Sequence, residues 1–197
     1  MMRKQIAPED RPTLEQLEKL HKSLHYRKQF SSTLRSTIYM LITVAAVAVL
    51  VAVLLLPVLQ IYGTSMTPTL TEGDIVLSVK TSEFEPGDII GFYFNNKILV
   101  KRVIAQAGDW VNIAEDGTVY VNNVALEEPY IAEKALGNCN IELPYQVPES
   151  RVFVIGDDRA VSLDSRNTAI GCVAQETVVG KIVFRVWPLS TFGRVGA

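Results

Sequence analysis

The hydrophobic pattern of the chain changes character around residue 60. From Thr37 to about Leu59 the residues are continuously apolar, inside an uncharged stretch that runs from Ser36 to Thr71. About 20 apolar residues at helical rise cross a hydrocarbon core of ~30 Å, so a membrane-spanning helix is predicted over residues 36–59. Ahead of it, Thr13-Leu14-Glu15-Gln16 has the form of a capping box, and Leu14, Leu17, His21 and Leu24 fall on one helical face. Residues 1–35 therefore read as a separate segment carrying a short amphipathic helix, its two histidines solvated or packed rather than ligating.

Beyond Ile61 the period shortens to β-branched runs separated by turn signals. Asp74–Leu77 and Asp88–Phe94 read as strands, each preceded by glycine, and Asn95-Asn96 turns the second into Lys97–Ile104. Asp116-Gly117 and Asn122-Asn123 mark two more hairpins, and Val152–Ile155 and Thr177–Trp187 complete the set. The expected fold class is mainly β: a transmembrane helix, then an antiparallel β domain over residues 60–197. The Glu-, Asn- and Pro-richer stretch from about 112 to 150 reads as a small appended β-subdomain.

Charge sharpens the picture of the apolar run. The chain has 19 basic and 21 acidic residues, a net charge of −2. The basic excess lies ahead of the run, where Lys19, Lys22, Arg27, Lys28 and Arg35 crowd, while the first charges after it are Glu72 and Asp74. The positive-inside rule then puts the N-terminus in the cytoplasm and the larger domain outside. Ala46-Val47-Ala48 has the small residues of a cleavage site, but a removable leader has a shorter apolar core nearer the N-terminus. The larger part is acidic and has no basic stripe, which argues against nucleic acid as a partner.

Composition also restricts the chemistry. The only histidines, His21 and His25, precede the apolar run, and the only cysteines are Cys139 and Cys172. Beyond the run no Ser-His-Asp triad, Cys-His pair or His/Cys zinc shell can be assembled, so no metal or other cofactor is expected. Hydrolytic chemistry there needs Ser or Thr with Lys, or carboxylates.

Three segments carry such residues. Gly63-Thr64-Ser65-Met66-Thr67-Pro68-Thr69-Leu70 sets a serine in a Gly- and Pro-shaped turn. Leu99-Val100-Lys101-Arg102-Val103-Ile104, continuing to Gly108-Asp109, sets two cations in a strand. Alternation puts Lys101 with Leu99 and Val103, and Arg102 with Val100 and Ile104, so periodicity does not choose between them. The third segment, Gly156-Asp157-Asp158-Arg159 through Ser162-Leu163-Asp164-Ser165-Arg166, is dense in acid, arginine and serine. Each also has an ordinary reading: a structural turn, a snorkelling strand lysine and a solvated loop.

In this order behind an apolar anchor, these segments, with Gly87-Asp88-Ile89-Ile90, resemble the boxes of bacterial type I signal peptidases (leader peptidases, peptidase family S26), especially the small single-span Gram-positive form. The resemblance runs from Leu54 to Trp187-Pro188. It implies an endopeptidase of the bacterial plasma membrane that removes signal peptides from secreted preproteins through an acyl-enzyme. It further implies Ser65 as nucleophile, Lys101 as general base, and Ser162 as the hydroxyl that orients the lysine amine. Asp157, Asp164 and Arg166 would form an ion-pair network supporting that wall, and Gly63, Ser65 and Met66 the oxyanion and substrate cleft. Partners would be preprotein signal peptides emerging from the secretion machinery, with small residues at −1 and −3, and the lipid bilayer.

Two positions depart from the family pattern. Gly63 stands where Gram-negative relatives carry a hydroxyl, and Asp158 where asparagine is usual. The walls of the cleft are expected near Ile61–Ser65 and Leu99–Lys101. Phe184, Trp187 and Phe192 are candidates for an interfacial patch or for core packing, and Cys139 and Cys172 for a disulfide. The competing classes are an inert anchored β module and another Ser-Lys hydrolase. A penicillin-recognising S-x-x-K enzyme does not fit, because Pro68 occupies the lysine position.

Overall fold

The computed structural model describes residues 13–195; the side chains of residues 23, 24 and 52–55, Leu24 of the proposed helical face among them, lie outside the described residues. The chain divides into two units, Met1–Val51 and Ala52–Ala197. The N-terminal unit is helical. A single helix, α1, runs without interruption over Leu14–Leu55. It opens with the expected capping box: Thr13 N–H donates to Gln16 Oε1 (3.1 Å) and Gln16 N–H to Thr13 Oγ1 (3.4 Å). No separate amphipathic helix precedes the apolar one. Neither Gly nor Pro occurs between Leu14 and Leu56, so nothing breaks the helical ladder until Pro57. Its described side chains are exposed, and its uncharged part, residues 36–55, is about 30 Å long at helical rise. By length and composition it can cross a membrane. The helix ends short of the predicted boundary, because Val58 and Leu59 already belong to a strand.

The second unit is antiparallel β. Its strands are β1 (Val58–Gln60), β2 (Ile75–Val79), β3 (Ile89–Phe94), β4 (Lys97–Ala105), β5 (Trp110–Ile113), β6 (Val119–Val121), β7 (Val124–Ala125), β8 (Tyr145–Gln146), β9 (Arg151–Ile155), β10 (Val173–Ala174), β11 (Val178–Trp187) and β12 (Gly193–Arg194). The larger sheet has the order β1-β2-β11-β3-β4-β9-β10, with β12 on β11; a smaller one has the order β7-β6-β5-β8. The Asn-Asn pairs at 95–96 and 122–123 have positive φ at both residues, the conformation of two-residue hairpins. The first of these fixes the register of β3 on β4, placing Ile90 opposite Lys101 and Ile89 opposite Arg102.

Strands β4 and β9 are apolar on both faces because they wall off separate cores. Val152 and Val154 pack with Ile90, Phe92 and Val103, whereas Phe153 and Ile155 pack with Ile104, Val111 and Val119 under the small sheet. A third cluster joins Ile61, Met66, Leu70, Val76, Ile89 and Ile182. The serine-bearing turn is pinned to it by Met66 and Leu70, both fully buried. The two edges of this turn are thereby anchored while Ser65 itself stays partly exposed.

The aromatic candidates do not belong to these cores. Phe184 and Phe192 pack edge-to-face with centroids 4.8 Å apart, and Trp187 and Phe192 are 53% and 58% exposed. Cys139 and Cys172 are both free, so the candidate disulfide is not made. Burial pushes the Cys172 thiol up to about 11, well into the range of an inert core thiol.

Candidate active site

Lys101 Nζ lies 2.6 Å from Ser65 Oγ, a hydrogen bond between residues contributed by β4 and by the turn after β1. Lys101 is only 2% exposed. Burial disfavours its ammonium and lowers its pKa to about 8; Asp164 and Asp157 oppose that shift, and Arg166 adds to it. No ion pair to Lys101 occurs among the described residues, which distinguishes it from every buried arginine of the domain. A groove of about 390 Å³ opens over the pair, lined by Ser65, Phe94, Asn95, Lys97, Leu99, Lys101 and Leu163. Leu99 and Lys101 line this groove, while Val100 between them packs against the third core. Ile61 does not line it, since it is buried in the third core.

Arg102, the neighbour that periodicity could not separate from Lys101, faces the other way. Its Nε and Nη2 grip both oxygens of Asp157 at 2.9 and 2.6 Å, and Nη1 donates to Gly87 O at 2.8 Å. Its guanidinium lies 3.8 Å from the centroid of the Tyr130 ring. Thr69 Oγ1 donates to the same Asp157 carboxylate, tying the serine turn to this fork.

The loop after β9 supplies the rest. Arg166 grips Asp164 through Nε and Nη2 at 2.8 and 2.9 Å, and Asp164 Oδ2 accepts from Gly156 N–H at 3.1 Å. Arg166 also donates to Leu136 O (2.8 Å) and Ser162 O (3.4 Å). Asp157, Asp164 and Arg166 are therefore brought together around the loop in paired form. A Cβ at Gly156 would lie 2.1 Å from Ser162 Oγ and 2.5 Å from Ser65 O, so only glycine allows this approach. Asp158 N–H donates to Ser65 O at 3.1 Å and its Oδ1 accepts from Val161 N–H at 3.4 Å, two bonds that an asparagine could make equally.

Three expected placements differ. Ser162 Oγ is buried but makes no hydrogen bond, so the expected bond to the lysine amine is not formed. Met66 points its side chain into the core, because its turn needs an apolar anchor there; it does not line the groove. Gly63 is exposed with φ of 80° and open space where a side chain would be, so backbone conformation accounts for glycine at this position. Sequence reasoning missed Glu128, Tyr130 and Arg159. Glu128 pairs with Arg159 and accepts from Tyr130 Oη at 2.9 Å, with Glu128 and Arg159 side chains each 1% exposed.

The β domain carries no histidine and holds Ser65 against a buried lysine. The family model "signal peptidase, peptidase S26" matches residues 34–187. The chain belongs to this family, and with it to the serine peptidases that remove signal peptides. It is 38% identical to signal peptidase IB of Staphylococcus aureus over 152 residues, covering 67% of this chain and 78% of that protein. It is likewise 38% identical to thylakoidal processing peptidase 1 of Arabidopsis thaliana over 148 residues, 66% of this chain but 42% of that protein's length. A crystal structure of a signal peptidase I from Enterococcus faecalis V583 shares 31% identity, covers 50% of this chain and 96% of that one, and has a TM-score of 0.41.

Proposed function

We propose that this chain is a membrane-anchored endopeptidase that cleaves signal peptides from secreted preproteins through a Ser65–Lys101 dyad. The observation that carries this reading is the 2.6 Å contact between Lys101 Nζ and Ser65 Oγ in a buried setting. With its pKa lowered to about 8, the lysine has a substantial neutral fraction near neutral pH. The neutral amine accepts the Ser65 proton as Oγ attacks the scissile carbonyl. It then protonates the leaving amine of the mature protein, and the neutral lysine finally activates the water that hydrolyses the acyl-enzyme. The oxyanion is received by Ser65 N–H.

The substrate is an extended peptide with small residues at −1 and −3, laid along the Leu99–Lys101 wall in the manner of an added strand. Helix α1 is the single-pass anchor in the plasma membrane, with the eight cations ahead of residue 36 retained in the cytoplasm and the β domain outside. Exposed Trp187, Leu189 and Phe192 suit contact with the bilayer interface. Substrates reach the enzyme from the secretion machinery.

Cleavage of a model preprotein by wild type, Ser65→Ala and Lys101→Met tests the dyad. Each substitution is expected to lower turnover by at least about a thousandfold. Substantial turnover in either variant would refute the assignment, and unchanged processing in cells carrying Ser65→Ala would favour an inert β module.

A further inference from the structure

We propose that Glu128 and Tyr130, in the loop between β7 and β8, are positioning residues for the Ser65–Lys101 pair, acting through Arg159 and Arg102. The inference rests on the dyad reading above. Both residues lie in the stretch that connects the small sheet's strands, far in sequence from either dyad member. Yet the Glu128 side chain is 1% exposed, and its carboxylate receives both terminal nitrogens of Arg159. Arg159 in turn donates Nε to Gly156 O at 3.1 Å. Tyr130 Oη donates to Glu128 Oε1 at 2.9 Å, while the ring of Tyr130 carries the Arg102 guanidinium on its face at 3.8 Å. Glu128 and Tyr130, two positions apart, thus touch between them both arginines that bracket the Gly156–Asp158 backbone: Arg159, which holds Gly156 O, and Arg102, which holds the Asp157 fork.

That backbone is in direct contact with the nucleophile. Asp158 N–H donates to Ser65 O at 3.1 Å, and Gly156 leaves no room for even a methyl group between Ser65 O and Ser162 Oγ. The charges that act on Lys101 are Asp164, Asp157 and Arg166, and Gly156 and Asp157 also hold or carry them: Gly156 N–H donates to Asp164 Oδ2. A shift of this loop by a fraction of an ångström therefore moves the Ser65 carbonyl and the carboxylates facing the base together. Buried ion pairs contribute little net stability but specify geometry. Geometry at the ångström level is where catalysis is most sensitive.

The test uses the full-length enzyme in lipid or detergent, with Glu128→Gln, Tyr130→Phe and Tyr130→Leu. Each is measured for kcat and KM on a model preprotein from pH 6 to 10, and rates are referred to folded enzyme by a thermal melt. Glu128→Gln and Tyr130→Leu are expected to lower kcat about tenfold while KM stays within about twofold, and to displace the acid limb of the pH profile. Tyr130→Phe keeps the ring under Arg102 and removes only the hydroxyl bond; it is expected to fold and to lose kcat a few-fold. Unchanged kcat and an unmoved acid limb per folded molecule in Tyr130→Phe and Glu128→Gln would overturn the proposal, whatever happens to the melting temperature. Failure of the underlying dyad is separately visible, since Lys101→Met would then remain active.

Discussion

Lys101 and Arg102 are adjacent cations on one strand, 2% and 3% exposed, and the domain treats them in opposite ways. Arg102 cannot give up its proton, so burying it demands partners. It receives the Asp157 fork, the Gly87 carbonyl, the Thr69 hydroxyl and the face of Tyr130. Among the described residues the Lys101 amine makes one bond, to Ser65 Oγ, while the carboxylates that act on it are each committed to an arginine, Asp157 to Arg102 and Asp164 to Arg166. A buried base must be left under-paired to be useful, whereas a buried scaffold cation must be saturated. The difference between the two side chains is a difference in what each can do with an unmet charge.

Exchanging the chemistry of the two positions tests this contrast most severely. Lys101→Arg retains the charge but removes the titration, so turnover of a model preprotein should fall by at least about a thousandfold. Measurable activity at a hundredth of wild type would show that proton transfer does not pass through position 101. The matching change, Arg102→Met, leaves Asp157 buried and unpaired. It should destabilise the domain by about 3–5 kcal/mol, read as a lowered unfolding midpoint. A midpoint within error of wild type would mean that the fork is not what anchors the serine turn.

The pH profile probes Lys101 alone. In the proposed dyad the amine works neutral, so kcat/KM should rise about tenfold per pH unit below a pKa of about 8 and level off above it. Burial, the largest influence on this lysine, acts in that direction, and Asp164 and Asp157 hold the value from falling further. A profile flat from pH 6 to 10 would remove the titrating base from the mechanism.

Why the two cations are distinguished could not be read from local pattern. Leu99, Val103, Val100 and Ile104 are all apolar because β4 contributes to all three cores, Leu99 and Val103 to one, Ile104 to another and Val100 to the third, so alternation has no polar face to reveal. What decides is register, set by the Asn95-Asn96 turn, and a slip of one residue would present Arg102 to Ser65 instead. The turns and the uncharged helix were legible, since Asn-Asn pairs and an uncharged run are local signals. The capping box was legible for the same reason. The continuity of α1 through residue 35 had a signal, the lack of any Gly or Pro before Pro57, that the change in polarity masked. The Glu128–Arg159 pair had none: its members are 31 residues apart, and in a loop nothing marks Glu128 above its neighbour Glu127.

The smallest expected effect concerns Ser162, which sharpens what isolation of Lys101 means. Its Oγ is buried with no hydrogen bond, although Gly156 holds it beside the carbonyl of Ser65. A buried hydroxyl in that state costs about 1–3 kcal/mol, so Ser162→Ala should leave the unfolding midpoint unchanged or raise it. Loss of kcat should be no more than about tenfold, far below that of Lys101→Arg, because the proposed proton route runs from Ser65 Oγ to Lys101 Nζ, 2.6 Å apart, without passing through residue 162. If instead Ser162→Ala abolished turnover while the protein remained folded, the hydroxyl must bond the amine during catalysis. Lys101 would then be a two-partner base, and its contrast with Arg102 would be one of partner charge rather than of partner number.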